Sequence, residues 1–427
     1  MFDHANRKKL RVLQIAPEYP PYSLGGGGLL VMNLSKELIN QGNDVTILAG
    51  YYPTVSILQK PFATVCVGLN VQWLPLVPSV KAGFQLNTIM PPNLFSAIKL
   101  LTFLRRDKFE AVHFHGFGHL ICDLAAVFCC FFGLGYILTI HGFPKEPSRR
   151  GGLLKVLFSA YSSTIGSFVI KHAYKTVAVS RSLAHECLQY VPETKIDLIS
   201  NAVDLQSYLD CPFEAIDEVR SKYKLTGKKV LLCIGRLSEA KGFQFVISSL
   251  KHVRAAIPEA QVVIIGRDEG YGYLKELRRI AVDENVESAV SFVGSLSDEE
   301  KVAFLWLADV VLIPSLEEVF GIVALEALAA GAPIVASDLG GLKEILSDDP
   351  YSFLVKSGDV EGIANAALGV LNDKRISAGA RDARYSRVKQ HSLSQMAIKY
   401  TNLYLCLSQK YQFKTNPCNG GLRTERA

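Results

Sequence analysis

The sequence predicts an α/β fold built of two Rossmann-like domains facing across a cleft, and three observations predict it. With 427 residues and 49% hydrophobic content, the chain is long enough for two or three domains, each with its own core. Short apolar runs of strand type alternate with stretches of helical spacing, the order that gives a parallel sheet covered by helices. That alternation starts twice, at Val12 and again at Val230, with a charged and polar stretch between.

In the first half, residues 12–16 form a strand, and a loop from Pro17 runs through the glycines Gly25 to Gly28. Leu30, Leu34 and Leu38 then mark a helix ending near Gly42, and residues 45–49 form the next strand. Strand, glycine loop, helix and strand make a βαβ unit. Glycine lets a backbone approach a ligand closely, and a helix N-terminus favours a diphosphate. A flexible surface loop would use the same residues. The spaced Gly-x-Gly-x-x-Gly of dinucleotide sites is absent, which argues against a nicotinamide cofactor.

Strands follow at 71–76, 111–116, 136–140, 176–179 and 196–199, with a helix over 94–104. The longest apolar stretch, 120–140, contains Asp123, Gly133 and Gly135. It divides into a buried helix and a buried strand rather than a membrane span, which needs about 20 apolar residues. In open α/β sheets ligands bind beyond the carboxyl ends of the strands, so His141, directly after the 136–140 strand, belongs at the cleft. His113, His115 and His119 have a spacing a metal could use, but no acidic or cysteine partner stands nearby at a recognised spacing, and no metal is expected. Residues 145–175 mix Lys145, Arg149, Arg150, Lys155 and Lys171 with leucine, valine and phenylalanine. Such a stretch can lie on an anionic membrane, or pack on the sheet with its basic face in water.

Residues 206–229 read as an interdomain link. In the second half, strands at 230–234, 262–265, 291–293, 309–313 and 334–336 are each followed by a loop carrying glycine. Gly235, Arg236, Lys241 and Gly242 follow the first, and two cations there suit a diphosphate. Gly266 ends the second. The fourth leads to Glu318, to Phe320, Gly321 and Ile322 at the turn into a helix, and to Glu326 on that helix, eight residues after Glu318. Unsatisfied amides at such a turn can hold an anion or sugar oxygens, and each carboxylate can accept paired hydrogen bonds from a diol. Paired glutamates on a helix are often solvated surface charges, but Glu326 sits among Ala324, Leu325, Ala327 and Leu328, an odd setting for one.

The net charge of +6 is modest, and no basic stripe interleaved with aromatics appears, so nucleic acid is not expected as a partner. Nine scattered cysteines without a Cys-x-x-Cys pair fit a reducing, cytoplasmic compartment. The polar, basic N-terminus leads into a strand rather than a signal peptide.

With these pieces located, the chain resembles the retaining glycosyltransferases of family 4, the group 1 glycosyltransferases with the GT-B fold. The likeness rests on Glu318 to Pro333 (two glutamates separated by seven residues, Phe-Gly among them), on Gly235 to Gly242 and on Gly340 to Glu344. It implies an acceptor-binding domain at 1–205, a link at 206–229, a donor domain at 230–385, a helix at 386–411 returning to the first domain and a loose tail at 412–427. It implies a UDP- or GDP-sugar as donor substrate, no cofactor, and a glycan or lipid-linked acceptor. Arg236 and Lys241 would hold the diphosphate, with Gly235 and Gly266 lining the donor site and Gly26 and Gly27 closing from the first half. Glu326 would hold the ribose. Glu318, with the backbone at Phe320, Gly321 and Ile322, would hold the sugar. His141 would lie beside the reacting carbon, and Asn201 matches an Asn-Gly-Val-Asp motif in which Ala202 here replaces the glycine. A peripheral contact with the inner face of an anionic membrane fits the basic stretch. Rival classes are a sugar-nucleotide 2-epimerase of the same fold and a non-catalytic sugar-nucleotide-binding protein. Glycogen and starch synthases carry a Lys-Thr-Gly-Gly loop, where this chain has Ser23, Leu24, Gly25 and Gly26.

Overall fold

A computed structural model describes residues 9–21, 26–51, 68–75, 94–106, 108–143, 160–268, 272–373 and 388–412. The basic residues from Lys145 to Lys155 and the polar tail lie outside them. The chain divides into two compact units: Met1–Val179, Leu183–Ser200 and Ser394–Ala427 form the first, and Ser180–Ser182 with Asn201–Leu393 the second.

The first unit runs β1 (Arg11–Ala16), α1 (Gly26–Asn40), β2 (Asp44–Tyr51), β3 (Asn70–Pro75), α2 (Leu94–Arg106), β4 (Ala111–His115), α3 (Leu120–Phe132) and β5 (Tyr136–Ile140). A π-helical turn (Ser162–Gly166) runs into α4 (Ser167–His172), followed by β6 (Lys175–Ala178), α5 (Arg181–Cys187) and β7 (Ile196–Leu198). The seven strands lie in the order β3-β2-β1-β4-β5-β6-β7, and every pairing is parallel. β4 and β5 are buried along their whole length, as strands covered on both faces must be. The apolar 120–140 stretch divides as its glycines require. Gly133 takes a left-handed conformation at φ 67° and ends α3, and the Leu134 amide turns back 2.8 Å to the Cys129 carbonyl before β5 begins.

The second unit runs α6 (Gln206–Leu209), α7 (Phe213–Lys222), β8 (Lys229–Ile234), α8 (Phe243–Ala256), β9 (Ala260–Ile265), α9 (Tyr273–Asp283), β10 (Val290–Gly294), α10 (Asp298–Leu307), β11 (Val310–Ile313), α11 (Ile322–Ala329), β12 (Ile334–Ser337), α12 (Gly340–Leu346), β13 (Ser352–Val355) and α13 (Val360–Asn372). Its sheet has the order β10-β9-β8-β11-β12-β13, again all parallel. Phe243, Val246, Ile247, Leu250 and Val253 make the buried stripe of α8, the helical spacing that closes its core over β8 and β9.

Two features depart from the sequence reading. The 206–229 stretch is not an open link: α7 buries Ile216 and Val219 and is tied to α10 by Lys222–Glu300 at 2.6 Å and by Tyr223 against Phe304. Two buried apolar residues in a charged helix leave too weak a period to detect. The edge strand β13, four residues long and starting two positions after Pro350, is too short to show a period.

The last helix, α14 (Leu393–Gln412), belongs to the first unit from Ser394 on. Its Tyr404 hydroxyl is 2.7 Å from His113 Nδ1, and its Tyr400 hydroxyl is 2.9 Å from Thr139 Oγ1.

Candidate active site

In both sheets the central pair, β1 with β4 and β8 with β11, is the point where the strand order reverses. Loops leaving the carboxyl ends of such a pair diverge and leave a crevice for a ligand. In the second unit, Arg236 and Lys241 lie on the loop after β8, and Glu318 lies on the loop after β11.

The structure brings two of them into contact. Lys241 Nζ is 2.6 Å from Glu318 Oε2, with both side chains mostly covered, and Ser315 Oγ reaches the same carboxylate oxygen at 3.4 Å. The Leu316 amide donates to the Ala240 carbonyl at 2.8 Å, which fixes the two loops together. Arg236 is exposed on the same loop as Lys241. Gly235 and Gly266 have a shared reason: a Cβ on Gly266 would stand 1.7 Å from the Gly235 carbonyl oxygen, so only glycine lets the β8 and β9 ends approach this closely.

Phe320 is buried, with its ring 6.1 Å from His391, so only its backbone is offered to a ligand. Gly321, at φ 99°, turns the chain into α11. The Ala324 and Leu325 amides turn back to the Gly321 carbonyl, and the amides before them, Ile322 among them, precede any helical carbonyl they could reach. The Gly340-Gly341 pair supports this turn from behind, since a Cβ on Gly341 would lie 2.4 Å from the Phe320 backbone.

Glu326 is buried on α11. Its Oε1 accepts from the Tyr208 hydroxyl at 2.9 Å and from Lys301 Nζ at 3.0 Å. Tyr208 is itself held, its carbonyl accepting from Trp306 Nε1 at 3.0 Å. Burial works against the Lys301 charge, but Glu326, Tyr208 and Asp298 outweigh it and hold the ammonium pKa above its usual value. Burial, with Glu326 beside it, pushes the Tyr208 phenol up, so it stays a donor. Both donors thus hold the same carboxylate oxygen, Oε1. Sequence reading missed Lys301 and Tyr208. Lys301 stands in an Asp-Glu-Glu-Lys run that looks like any solvated helix start, and Tyr208 lies in the stretch read as a link.

The remaining candidates belong to the first unit. Gly26 and Gly27 open α1, and a Cβ on Gly27 would meet nothing within 4 Å. The tightly packed glycine is Gly28, whose Cβ would lie 3.0 Å from the Glu18 carbonyl oxygen. His141 follows β5, half-buried, its ring stacked on His115 at 5.8 Å. Its Nε2 is enclosed and has no hydrogen-bond partner among the described residues. Burial, reinforced by His119, lowers its pKa to about 4, so it is a neutral imidazole near neutrality. His113 spends both ring nitrogens on Tyr404 and Thr139 at 2.7 Å each. Among the described residues no group of three or more His, Cys, Asp or Glu could hold a metal ion.

Residues 24–207 match the family model described as Glycosyltransferase Family 4, and residues 215–389 match that of Glycosyl transferases group 1. The chain is a group 1 glycosyltransferase. It is 28% identical over 400 residues to a glycogen synthase of Mycobacterium tuberculosis, covering 88% of this chain and 89% of that one. It is 25% identical over 332 residues to an Escherichia coli UDP-Gal:alpha-D-GlcNAc-diphosphoundecaprenol alpha-1,3-galactosyltransferase, covering 75% and 81%. Among solved structures, Anabaena HepE in complex with UDP and glucose superposes with a TM-score of 0.74 at 18% identity, covering 93% of this chain and all of that one. The glycosyltransferase therefore has the GT-B fold of two Rossmann-like units that the sequence led us to expect.

Proposed function

We propose that this glycosyltransferase moves a hexose-type sugar from a nucleoside diphosphate sugar to a hydroxyl of a glycan or lipid-linked acceptor, with retention of anomeric configuration and without a metal ion. The observation that carries the proposal is the Lys241–Glu318 contact at the switch point of the second sheet, beside the turn into α11. A cation and a carboxylate held side by side there suit a ligand that is anionic at its diphosphate and rich in hydroxyls at its sugar.

In this scheme Lys241 and Arg236 take the negative charge that develops on the leaving diphosphate. Charge handled by side chains leaves no required place for a metal, and the sequence contains no Asp-x-Asp loop to hold one. Glu318 and the backbone from Phe320 to Ile322 take the sugar hydroxyls, and Glu326 takes the ribose diol. Gly235 and Gly266 shape the floor of the donor site. The acceptor hydroxyl attacks from the face the diphosphate leaves, which gives retention without a covalent enzyme intermediate. Relatives that act on a glycan and on a lipid diphosphate support both acceptor classes. A cytoplasmic enzyme touching an anionic membrane peripherally would reach either.

The test is a panel of sugar nucleotides, reading donor binding and slow donor hydrolysis for wild type and Glu326→Ala, with and without a chelator. One donor bound and hydrolysed, lost in the variant and indifferent to chelator, is the expected result. Release of an epimerised sugar, or no donor bound at all, would overturn the assignment.

A further inference from the structure

Three helices of the first unit lie side by side, α3 packing between α2 and α4. Their outer stripes are apolar and open. Phe131 is 81% exposed, Phe95 65%, Ile98 54%, Val127 45% and Ile165, in the turn leading into α4, 43%. The positions follow helical spacing, 95 and 98 on α2, and 127 and 131 on α3, so each pair shares one face. Large side chains exposed on one face of neighbouring helices are a different matter from scattered surface leucines.

The exposed charges described on these helices have one sign. Arg105 on α2 and Lys171 on α4 are exposed, with His172 next to Lys171. Across α2, α3 and α4 the one carboxyl is Asp123, and it is buried, bonded to the Tyr161 hydroxyl at 2.8 Å. A second copy of the chain meeting this face across a two-fold axis would set basic residues against basic residues, with no carboxylate on these helices to pair them. An anionic lipid surface supplies the missing negative charge, and its acyl boundary accepts phenylalanine and isoleucine. No described helix is long and apolar enough to cross a membrane, which fits contact along a face rather than insertion.

We infer that the outer face of α2, α3 and α4, centred on Phe131, Ile98 and Phe95 with Arg105 and Lys171 at its margin, docks this glycosyltransferase on a bilayer rich in anionic phospholipid. The inference deepens the membrane contact in the proposed function and carries it onto helices outside the 145–155 stretch.

The experiment is co-sedimentation of the full chain with vesicles of phosphatidylcholine alone and of phosphatidylcholine with about one third phosphatidylglycerol, at low and high salt. Two surface variants are compared with wild type, Ile98→Ser with Phe131→Ser, and Arg105→Glu with Lys171→Glu. Donor binding to each protein is measured in parallel, so a failed surface is separated from a failed donor reading. The expected result is salt-sensitive binding to the anionic vesicles, at least about tenfold tighter than to neutral ones, and weakened at least about tenfold by either pair with donor binding intact. Equal binding to both vesicles, no binding, or full binding by both variants would overturn it. So would a concentration-dependent dimer of the wild type that the Ile98/Phe131 pair abolishes, which would make the face a contact between copies.

Discussion

The two units use one strand order to opposite electrostatic ends. In the second, the loops and helices at the switch point hold ion pairs, Lys241 with Glu318 and Lys301 with Glu326. In the first, β4 and the residue after β5 carry imidazoles, with His113, His115 and His141 all pushed down by burial, His113 to about 3 and His141 to about 4. A parallel sheet covered on both faces offers the same low-dielectric setting in each unit. Paired charges survive in it because each member has its counter-ion, and unpaired histidines survive in it only by staying neutral. The lesson is that the scaffold fixes where a ligand sits, while neighbouring side chains decide whether that place is charged.

The largest expected effect breaks the neutral side of the contrast. A histidine whose folded pKa is lowered contributes stability that is present above its unfolded pKa of about 6.5 and is lost as pH falls below it. Asp123 works the other way: burial raises it to about 7, so folding favours its protonated form and acid favours the fold. Three imidazoles against one carboxyl leave a net loss of about 3 kcal/mol per pH unit between roughly pH 6 and 4.5. Hydrogen exchange read peptide by peptide should show β4 and β5 opening in acid before β8 and β11. Equal loss of protection in both sheets would contradict the contrast.

Glu326→Ala breaks the charged side. It removes the buried counter-ion of the Lys301 ammonium and leaves only the exposed Asp298 carboxylate at 3.2 Å, at a cost of up to about 3–5 kcal/mol. The chain has two tryptophans, Trp73 in the first unit and Trp306 in the second, so a Trp73→Phe background lets urea unfolding report on the second unit by fluorescence. Lys301→Met should cost similarly, because the carboxylate is then the unpaired partner. An unchanged midpoint for both would remove the anchor.

Lys241→Ala should act on ligand binding more than on stability. A charge-assisted hydrogen bond lost from a diphosphate weakens donor binding by about 10- to 100-fold, and calorimetric titration would measure it. Weakening of less than about threefold would mean that Lys241 serves Glu318 alone. Tyr404→Phe gives the smallest effect. It removes one hydrogen bond from His113 Nδ1 and should cost about 1–2 kcal/mol in thermal unfolding, without changing donor affinity.

By itself the sequence determined most of the architecture. Short apolar runs, glycine loops and periodic leucines are local signals, and they placed β1, α1, β4, the split at Gly133 and the strand–loop–helix around Glu318. The candidate site was legible for the same reason: Glu318, Phe320, Gly321 and Glu326 lie within nine residues of one another, so the pattern shows in a single window. What only the tertiary structure decided was which distant groups meet. Tyr208 and Lys301 reach Glu326 from 118 and 25 positions away, and Tyr404 reaches His113 from 291. Residue type and spacing carry no trace of such contacts, because chain folding and not neighbourhood in sequence sets the distance. Helix α7 kept its apolar residues too few to announce a period, and burial, which turned three histidines neutral and set one glutamate between a tyrosine and a lysine, is a property of the packed units alone.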